Sequence, residues 1–457
     1  VNERAFYLGV GEEWAFSFFH PAEGDEAVLM CPLFGWDDIC SYRSRRIWAE
    51  RLAAGGRPAL RFDLPGTGDS SGSAEDAGRL EAWTVAVHEA ATWLRAETGS
   101  RRTVAIGIGL GGLLALRVAA RGGPIDDLVL WGVPADGRAL LREFRAFARI
   151  EAASIVASGA PEPPPLPGGI LAPGGFVLSA ETQTELEALD STALALPPVA
   201  HRRVLLLRRD GIQVDRELKR HLEAQGARIE VADCGGYEAM MAPPDLARSP
   251  VAVFDRVDTW LAAEPEDGEP PGRAPAPASD DSIEVAVGAV GVRERPFDVP
   301  CGSGRLFGVL SEPASARPAE LSVVLLNAGA IRRVGPNRMW VEIARRWAGQ
   351  GVTTLRLDLE GIGDATGDGE RYTDVSELYA PQFVDQVKAA LDALEARGAP
   401  RRYMLLGLCS GAYWAFHTAL GDDRVSAAVM LNPRVLYWDP DLEPARDARK
   451  LKRQLFQ

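Results

Sequence analysis

Metal ligands are scarce in this sequence: 457 residues hold five histidines and five cysteines. None of these falls in a CxxC or Cys/His ligand spacing, so no metal site is expected. The cysteines, Cys31, Cys40, Cys234, Cys301 and Cys409, are odd in number and scattered. That distribution fits a reducing, cytoplasmic compartment better than a disulfide framework. Basic charge is also in deficit, with 64 acidic against 50 basic residues, a net charge of -14 and a pI near 5.0. No broad phosphate-binding surface follows from such a balance, and a nucleic-acid partner is not expected. Long apolar runs are missing too. The most apolar stretch, residues 106–120, is interrupted by glycines and by Arg117, and the first residues, Val-Asn-Glu-Arg, lack a basic-then-apolar signal. No membrane span and no export signal are therefore expected. What remains is an ordinary globular composition, 46% hydrophobic and 25% charged, with length enough for two or three domains.

Residues 264–282, EPEDGEPPGRAPAPASDDS, contain five prolines and no bulky apolar side chain. This is linker composition, and it divides the chain into residues 1–263 and 283–457. The two parts resemble each other. Arg61-Phe-Asp63-Leu-Pro-Gly66-Thr-Gly68-Asp69 recurs as Arg356-Leu-Asp358-Leu-Glu-Gly361-Ile-Gly363-Asp364, and Gly107-Ile-Gly109-Leu-Gly111 as Gly407-Leu-Cys409-Ser-Gly411. A repeat of this length is a duplicated domain. In the first copy, short apolar runs at 27–31, 59–63, 103–106, 128–131, 204–207 and 228–231 alternate with helical patterns. The reading is α/β, two tandem doubly wound and mostly parallel sheets, the second C-terminally incomplete. A helical segment at 139–155 and PEPPPLPGG at 161–169 mark a lid-like insertion over about residues 135–200.

The Asp-x-x-Gly-x-Gly-Asp turn and the Gly-x-nucleophile-x-Gly turn resemble the α/β-hydrolases, in particular their serine-aminopeptidase-like lipase and esterase branch. Asn327-Ala-Gly329, the stretch Arg333 to Arg338, Gly407 to Ala412 and Gly236 to Met241 are similar to hydrolases associated with exosortase gene clusters. The resemblance implies a sharp strand-to-helix elbow that aims a nucleophile at substrate and places backbone N–H groups around the developing oxyanion. In the second copy the elbow position is Cys409. The implied oxyanion donors are the N–H of Ser410 and the Ala328–Gly329 region. A helix N-terminus favours a thiolate there, so Cys409 is the candidate nucleophile, set against the ordinary alternative of a buried structural cysteine. Ser410 is a rival by residue type but falls out of register with the bracketing glycines.

The first copy lacks that chemistry. Its elbow position is Gly109, which has no side chain. The turn in which the family places its histidine offers Tyr237, and Asp210 is the surviving candidate acid. Residues 1–263 thus read as a pseudohydrolase. Gly107-x-Gly109-x-x-Gly112 also satisfies a dinucleotide fingerprint, but no acid ends the following strand, and no cofactor is expected. His88, His221 and His417 lie in helical patterns and read as structural or solvent-facing, and His20 and His201 flank strands at positions the family does not use for catalysis. Arg332, Arg333 and Arg338 follow the oxyanion loop. They are candidates for a substrate carboxylate or phosphate, with a solvated basic loop as the alternative.

Cys409 lies much nearer the last residue than Gly109 lies to the linker, so the second copy is expected to be completed by a further segment or a partner chain. Asp439 is a candidate acid within the chain. The expected activity is hydrolysis or transfer of an acyl group from a small or carrier-bound ester or thioester. A non-catalytic scaffold of hydrolase-like domains is the alternative.

Overall fold

The computed structural model describes residues 3–157, 159, 161, 164, 166–197, 202–263, 276–302, 304–314 and 319–438. In the first repeat the strands are β1 (Arg4–Val10), β2 (Glu13–His20), β3 (Glu26–Cys31), β4 (Ala59–Phe62), β5 (Arg102–Ile108), β6 (Asp127–Trp131), β7 (Arg203–Leu207) and β8 (Arg228–Ala232). Their order across the sheet is β8-β7-β6-β5-β3-β4-β2-β1, with β9 (Ser279–Asp280) added beyond β1. From β4 to β8 neighbours run parallel, and β1 and β2 are antiparallel additions. All six apolar runs form strands. β3, β5, β6 and β7 are mostly apolar and buried because helices cover both faces of a parallel sheet, whereas β4 carries Arg61 and the edge strand β8 is partly exposed. Helices Arg79–Thr98 and Leu110–Ala120 pack on one face. On the other face lie Trp36–Ala54 and Val251–Ala262, joined by Trp48 stacked on Phe254 at 4.7 Å.

The second sheet contains β10 (Ile283–Val287), β11 (Val290–Cys301), β12 (Gly304–Pro313), β13 (Ser322–Leu326), β14 (Thr353–Asp358), β15 (Tyr403–Leu408) and β16 (Val425–Leu431). Its order, β10-β11-β12-β14-β13-β15-β16, reproduces β1-β2-β4-β3-β5-β6 from β11 onward. Among the described residues it has no counterparts of β7 and β8. As a result β16 is partly exposed along its length, whereas β6 is buried. Two features differ from the sequence reading. The antiparallel strands at the start of each repeat carried no helix-alternating signal. The last residues of the proline-rich stretch are docked, since Gly9 N–H donates to the Ala278 carbonyl (2.8 Å) and β9 pairs with β1. Residues 264–275, Asp439 and the basic stretch after it lie outside the described residues.

The recurring R-x-D-L-x-G-x-G-D motif builds the contact between the repeats. Within each copy the second aspartate's N–H closes the turn on the first carboxylate, Asp69 on Asp63 at 3.0 Å and Asp364 on Asp358 at 3.1 Å. A Cβ on Gly68 would lie 1.9 Å from the Asp63 carboxylate, and one on Gly363 2.2 Å from that of Asp358, so both turns need glycine. Each motif arginine then crosses to the other copy: Arg61 donates to Asp364 (3.0 Å) and Arg356 to Asp69 (3.0 Å). Phe16 and Phe307, two residues before the partners of these arginines in the strand ladder, face each other at 6.3 Å. The interface is thus approximately two-fold, the self-complementary geometry of a symmetric dimer, within one chain.

All members of this network are buried. Arg333, 0% exposed, pairs with Asp69, Asp358 and Asp364 and lies over the Phe307 ring at 4.5 Å. Burial alone would raise the Glu294 carboxyl, but Arg345 and Arg356 outweigh it and hold the group well below the usual carboxylate range. For Asp364 burial is likewise outweighed, by Arg61 and Arg333. Both carboxyls therefore lie lower when folded than unfolded, and their stabilisation is complete above the unfolded value of about 4 and lost as pH falls below it. The contribution of Glu294 and Asp364 to the midpoint of urea unfolding is expected to drop below about pH 4, with Glu294→Gln flattening that drop. Arg356→Met leaves Asp69 and Glu294 without one of their cations. It is expected to cost about 3–5 kcal/mol in the same assay.

Candidate functional site

The two elbows share one backbone conformation. Gly109 follows β5 with φ 51° and ψ -117°, and Cys409 follows β15 with φ 53° and ψ -111°. Among the described residues only Asn337, Arg338, Cys409 and Asn432 combine a side chain with positive φ. Such strain persists where the surroundings over-determine it. Here they do: a Cβ on Gly407 would come within 2.0 Å of the Gly411 carbonyl oxygen, and one on Gly411 within 2.4 Å of the Asn327 carbonyl oxygen. The helix is pressed against the strand end, and the chain turns at Cys409 to enter it.

Cys409 caps the helix Ser410–Leu420 and is half-buried, while Ser410 is 1% exposed. This separates the two candidates by access, because only the residue at 409 stands at the elbow. Ser410 instead accepts a hydrogen bond at its hydroxyl from the Gly329 N–H (2.8 Å). The expected oxyanion region, Ala328–Gly329, is therefore beside the elbow, with one of its donors engaged by Ser410. The other four thiols are held in the protonated form by burial, Cys31 pushed up to about 12 and Cys40, Cys234 and Cys301 raised as well.

No described histidine pairs with Cys409. His417 directs Nε2 to the Leu436 carbonyl (2.9 Å) and packs on Tyr413, His221 faces the Leu194 carbonyl, and His20 lies beside Arg61. His88 sits half-buried in the helix Arg79–Thr98. His201 is outside the described residues. Among the described residues no cluster of His, Cys, Asp or Glu has the arrangement to hold a metal, and no helix is long and apolar enough to cross a membrane.

The arginine candidates are corrected by their burial. Arg332 forms two hydrogen bonds to Asp63 (3.0 and 2.9 Å) and approaches Asp38 at 3.3 Å. Arg333 occupies the buried network described above. Arg338 donates to the Gly68, Gly72 and Ser70 carbonyls, and burial lowers it to about 10. These side chains join the two repeats. They are neither a solvated basic loop nor three free anion ligands.

In the first repeat, a cavity of about 210 Å³ lies beside Arg209 and Tyr237. The loop after β3 contributes Phe34, the first turn of the helix Trp36–Ala54 Trp36 and Asp37, the helix Gly137–Ala157 Glu143, Phe144 and Phe147, and the segments after β7 and β8 Arg209 and Tyr237. Asp210 accepts from the Glu238 N–H (2.9 Å), so Asp210 and the Tyr237 turn, the two positions singled out in the sequence, are neighbours. Tyr237 fills the base position with its ring edge-on to Trp131 at 5.3 Å and under the Arg209 guanidinium at 4.9 Å. Arg209 is held by Glu143 at 3.0 and 2.9 Å. Burial pushes Asp37 up to about 6 against the opposing charge of Arg209. Asp37, Glu143 and Arg209 escaped the sequence reading because they come from two separate helices and the segment after β7, with no shared motif.

Strand order, elbow and oxyanion loop together define an α/β-hydrolase-type fold, complete in the first repeat and recurring in the second through β16. No protein-family model and no curated protein matches the chain. Among solved structures, it is similar to DcsB in complex with its substrate analogue, at 17% identity over 57% of this chain and 98% of that one, with a TM-score of 0.42. It is also similar to the α/β-hydrolase GrgF from Penicillium sp. sh18 (13%, 57% and 98%, 0.38). A third similar structure is Est1E from Butyrivibrio proteoclasticus with ferulic acid bound (16%, 56% and 97%, 0.39).

The position of Gly109 is spatially open: a Cβ added there would meet no atom within 4 Å. Gly109→Ser is thus expected to fold, with a loss of roughly 1–3 kcal/mol for the positive φ. It should gain no ester turnover, because Tyr237 stands where a base is needed. Gly107→Ala, whose Cβ would sit 2.4 Å from the Gly112 Cα, is expected to prevent folding. Denaturation midpoints and ester assays on the full chain check all three outcomes.

Proposed function

We propose that the second repeat is an acyl-transfer centre with Cys409 as nucleophile, acting on a carboxylic ester or thioester, and that the first repeat is non-catalytic. The observation that carries this is the elbow itself: Cys409 is held at φ 53° between two glycines in backbone contact, at the N-terminus of an 11-residue helix and next to the Gly329 loop. The attacking thiolate adds to the acyl carbon, the ester alkoxide or thiolate leaves, and an acyl-cysteine results. Release to water or to an acceptor needs a base. We infer that this base comes from outside the described residues, beside β16, which is partly exposed and is the last described strand of that sheet. The first repeat reads as a pseudohydrolase on the absence of a side chain at Gly109 and on Tyr237 at the base position.

A scaffold reading is favoured by one observation, the engagement of the Gly329 N–H by Ser410. The two are separated on the full chain. With iodoacetamide near neutral pH, Cys409 is expected to be labelled before the four thiols that burial raises. With an activated aryl ester, a burst near one equivalent should place the acyl group on Cys409, followed by turnover slower by several orders of magnitude than in a complete triad. Cys409→Ala should remove the burst. Ser410→Ala, which frees the Gly329 N–H, should keep it. Faster labelling at Cys234 or Cys301, or a burst that survives Cys409→Ala, would reject the nucleophile.

A further inference from the structure

We propose that the first repeat acts on the second as an in-chain clamp, in which Asp63 and Asp69 are positioning residues for the oxyanion loop beside Cys409. The proposal rests on the reading of Cys409 as nucleophile and adds a role for the repeat that has no nucleophile of its own.

The loop in question runs from Asn327 at the end of β13 to the helix Met339–Ala348. Its Gly329 N–H lies against the elbow through Ser410, and Ile331 N–H closes a turn on the Ala328 carbonyl (3.1 Å). The next two residues leave their own repeat. Arg332 inserts between the Asp63 carboxylate and the Tyr42 ring, 3.9 Å from the ring centre. Arg333 reaches Asp69 at 2.7 Å. Farther along, Arg338 and Arg345 bind the carbonyls of the Gly68–Gly72 turn. The second repeat's own carboxylates, Asp358 and Asp364, hold Arg333, whereas both carboxylates on Arg332, those of Asp63 and Asp38, come from the first repeat. Only two residues, Ala330 and Ile331, separate Gly329 from Arg332, so a shift of the guanidinium is transmitted to the donor with little slack.

The clamp is one-sided, although the interface is nearly symmetric. At the corresponding place after β3 the first repeat has Trp36, Asp37 and Asp38, and Asp38 is itself an anion for Arg332 and Arg45. The carboxylates on Arg332 therefore belong to the repeat with Gly109, and the held loop to the repeat with Cys409. Arginine suits this use because its planar fork takes two oxygens of Asp63 at once and fixes orientation as well as distance.

The test compares the full-length chain with Asp63→Asn and Arg332→Lys. Amide hydrogen exchange over residues 328–335 is expected to quicken by about tenfold or more in both, with β15 unchanged. The burst rate with an aryl ester is expected to fall by roughly 10- to 100-fold, because an oxyanion donor moved by a fraction of an ångström loses its effect. Alkylation of Cys409 by iodoacetamide, which develops no oxyanion, should change less than about twofold. Unchanged exchange over 328–335 in a folded variant would overturn the clamp. So would equal losses of burst and alkylation, which denote general damage, or failure of both variants to fold, which denotes a folding role alone. If the parent chain shows no burst, the Cys409 reading fails while the exchange measurement still decides the clamp.

Discussion

The arrangement depends on buried arginines that reach carboxylates in the other repeat as well as in their own. Arg61 and Arg356 sit in β-strands next to the centre of their own sheets, where an isolated guanidinium has no stable place. Each is satisfied by the aspartate that ends the other copy's glycine turn. A buried pair of this kind adds little net stability compared with an apolar contact, but loss of one member leaves a charge in a medium that cannot solvate it. The network therefore specifies how the repeats dock more than how tightly. It tolerates no register other than the one in which Arg61 meets Asp364 and Arg356 meets Asp69.

The same constraint explains how far the sequence could be read. Both turns were visible as a recurring motif because glycine and aspartate are required at fixed places by contacts within each turn, such as that of Gly68 with Asp63. The parallel strands were visible because burial on both faces leaves continuous apolar runs. Elbow conformation at Gly109 and Cys409 followed from the glycines around them. The fates of Arg332, Arg333 and Arg338 did not, since a loop rich in arginine looks the same whether it meets solvent, substrate or another domain. The missing information was the pairing of the two copies, which no local pattern encodes. Its trace was nonetheless present in the arginine that begins the motif in both copies, a charge in a strand otherwise apolar.

Each repeat has an elbow of the same backbone conformation, and the residues that occupy the two differ. At Gly109 the positive φ is occupied by the residue that adopts it without strain, and the neighbouring base position holds an aromatic ring packed between Trp131 and Arg209. Nothing in that site needs strain any longer. At Cys409 the strain is retained, in the same conformation and under the same glycine contacts. A backbone cost carried by one copy and relieved in the other is informative because both folds would form with glycine.

The contact between Ser410 and Gly329 bears on the same question from the side of the oxyanion. A hydroxyl that accepts the Gly329 N–H occupies the donor before any substrate arrives, and it can itself donate once it turns toward a developing negative charge. Such an exchange keeps a buried N–H satisfied in the free protein, where leaving it unpaired would be costly. It also limits what the loop must do on binding, since a rotation of one hydroxyl suffices if Gly329 is already in place. Preorganisation then rests on what fixes Gly329. Beyond its own repeat, the loop's carboxylate partners are Asp63, Asp69 and Asp38, with the Gly68–Gly72 carbonyls on Arg338. A domain without a nucleophile is thereby tied, through the short backbone from Arg332 to Gly329, to the geometry around the one thiol that the fold presents at an elbow.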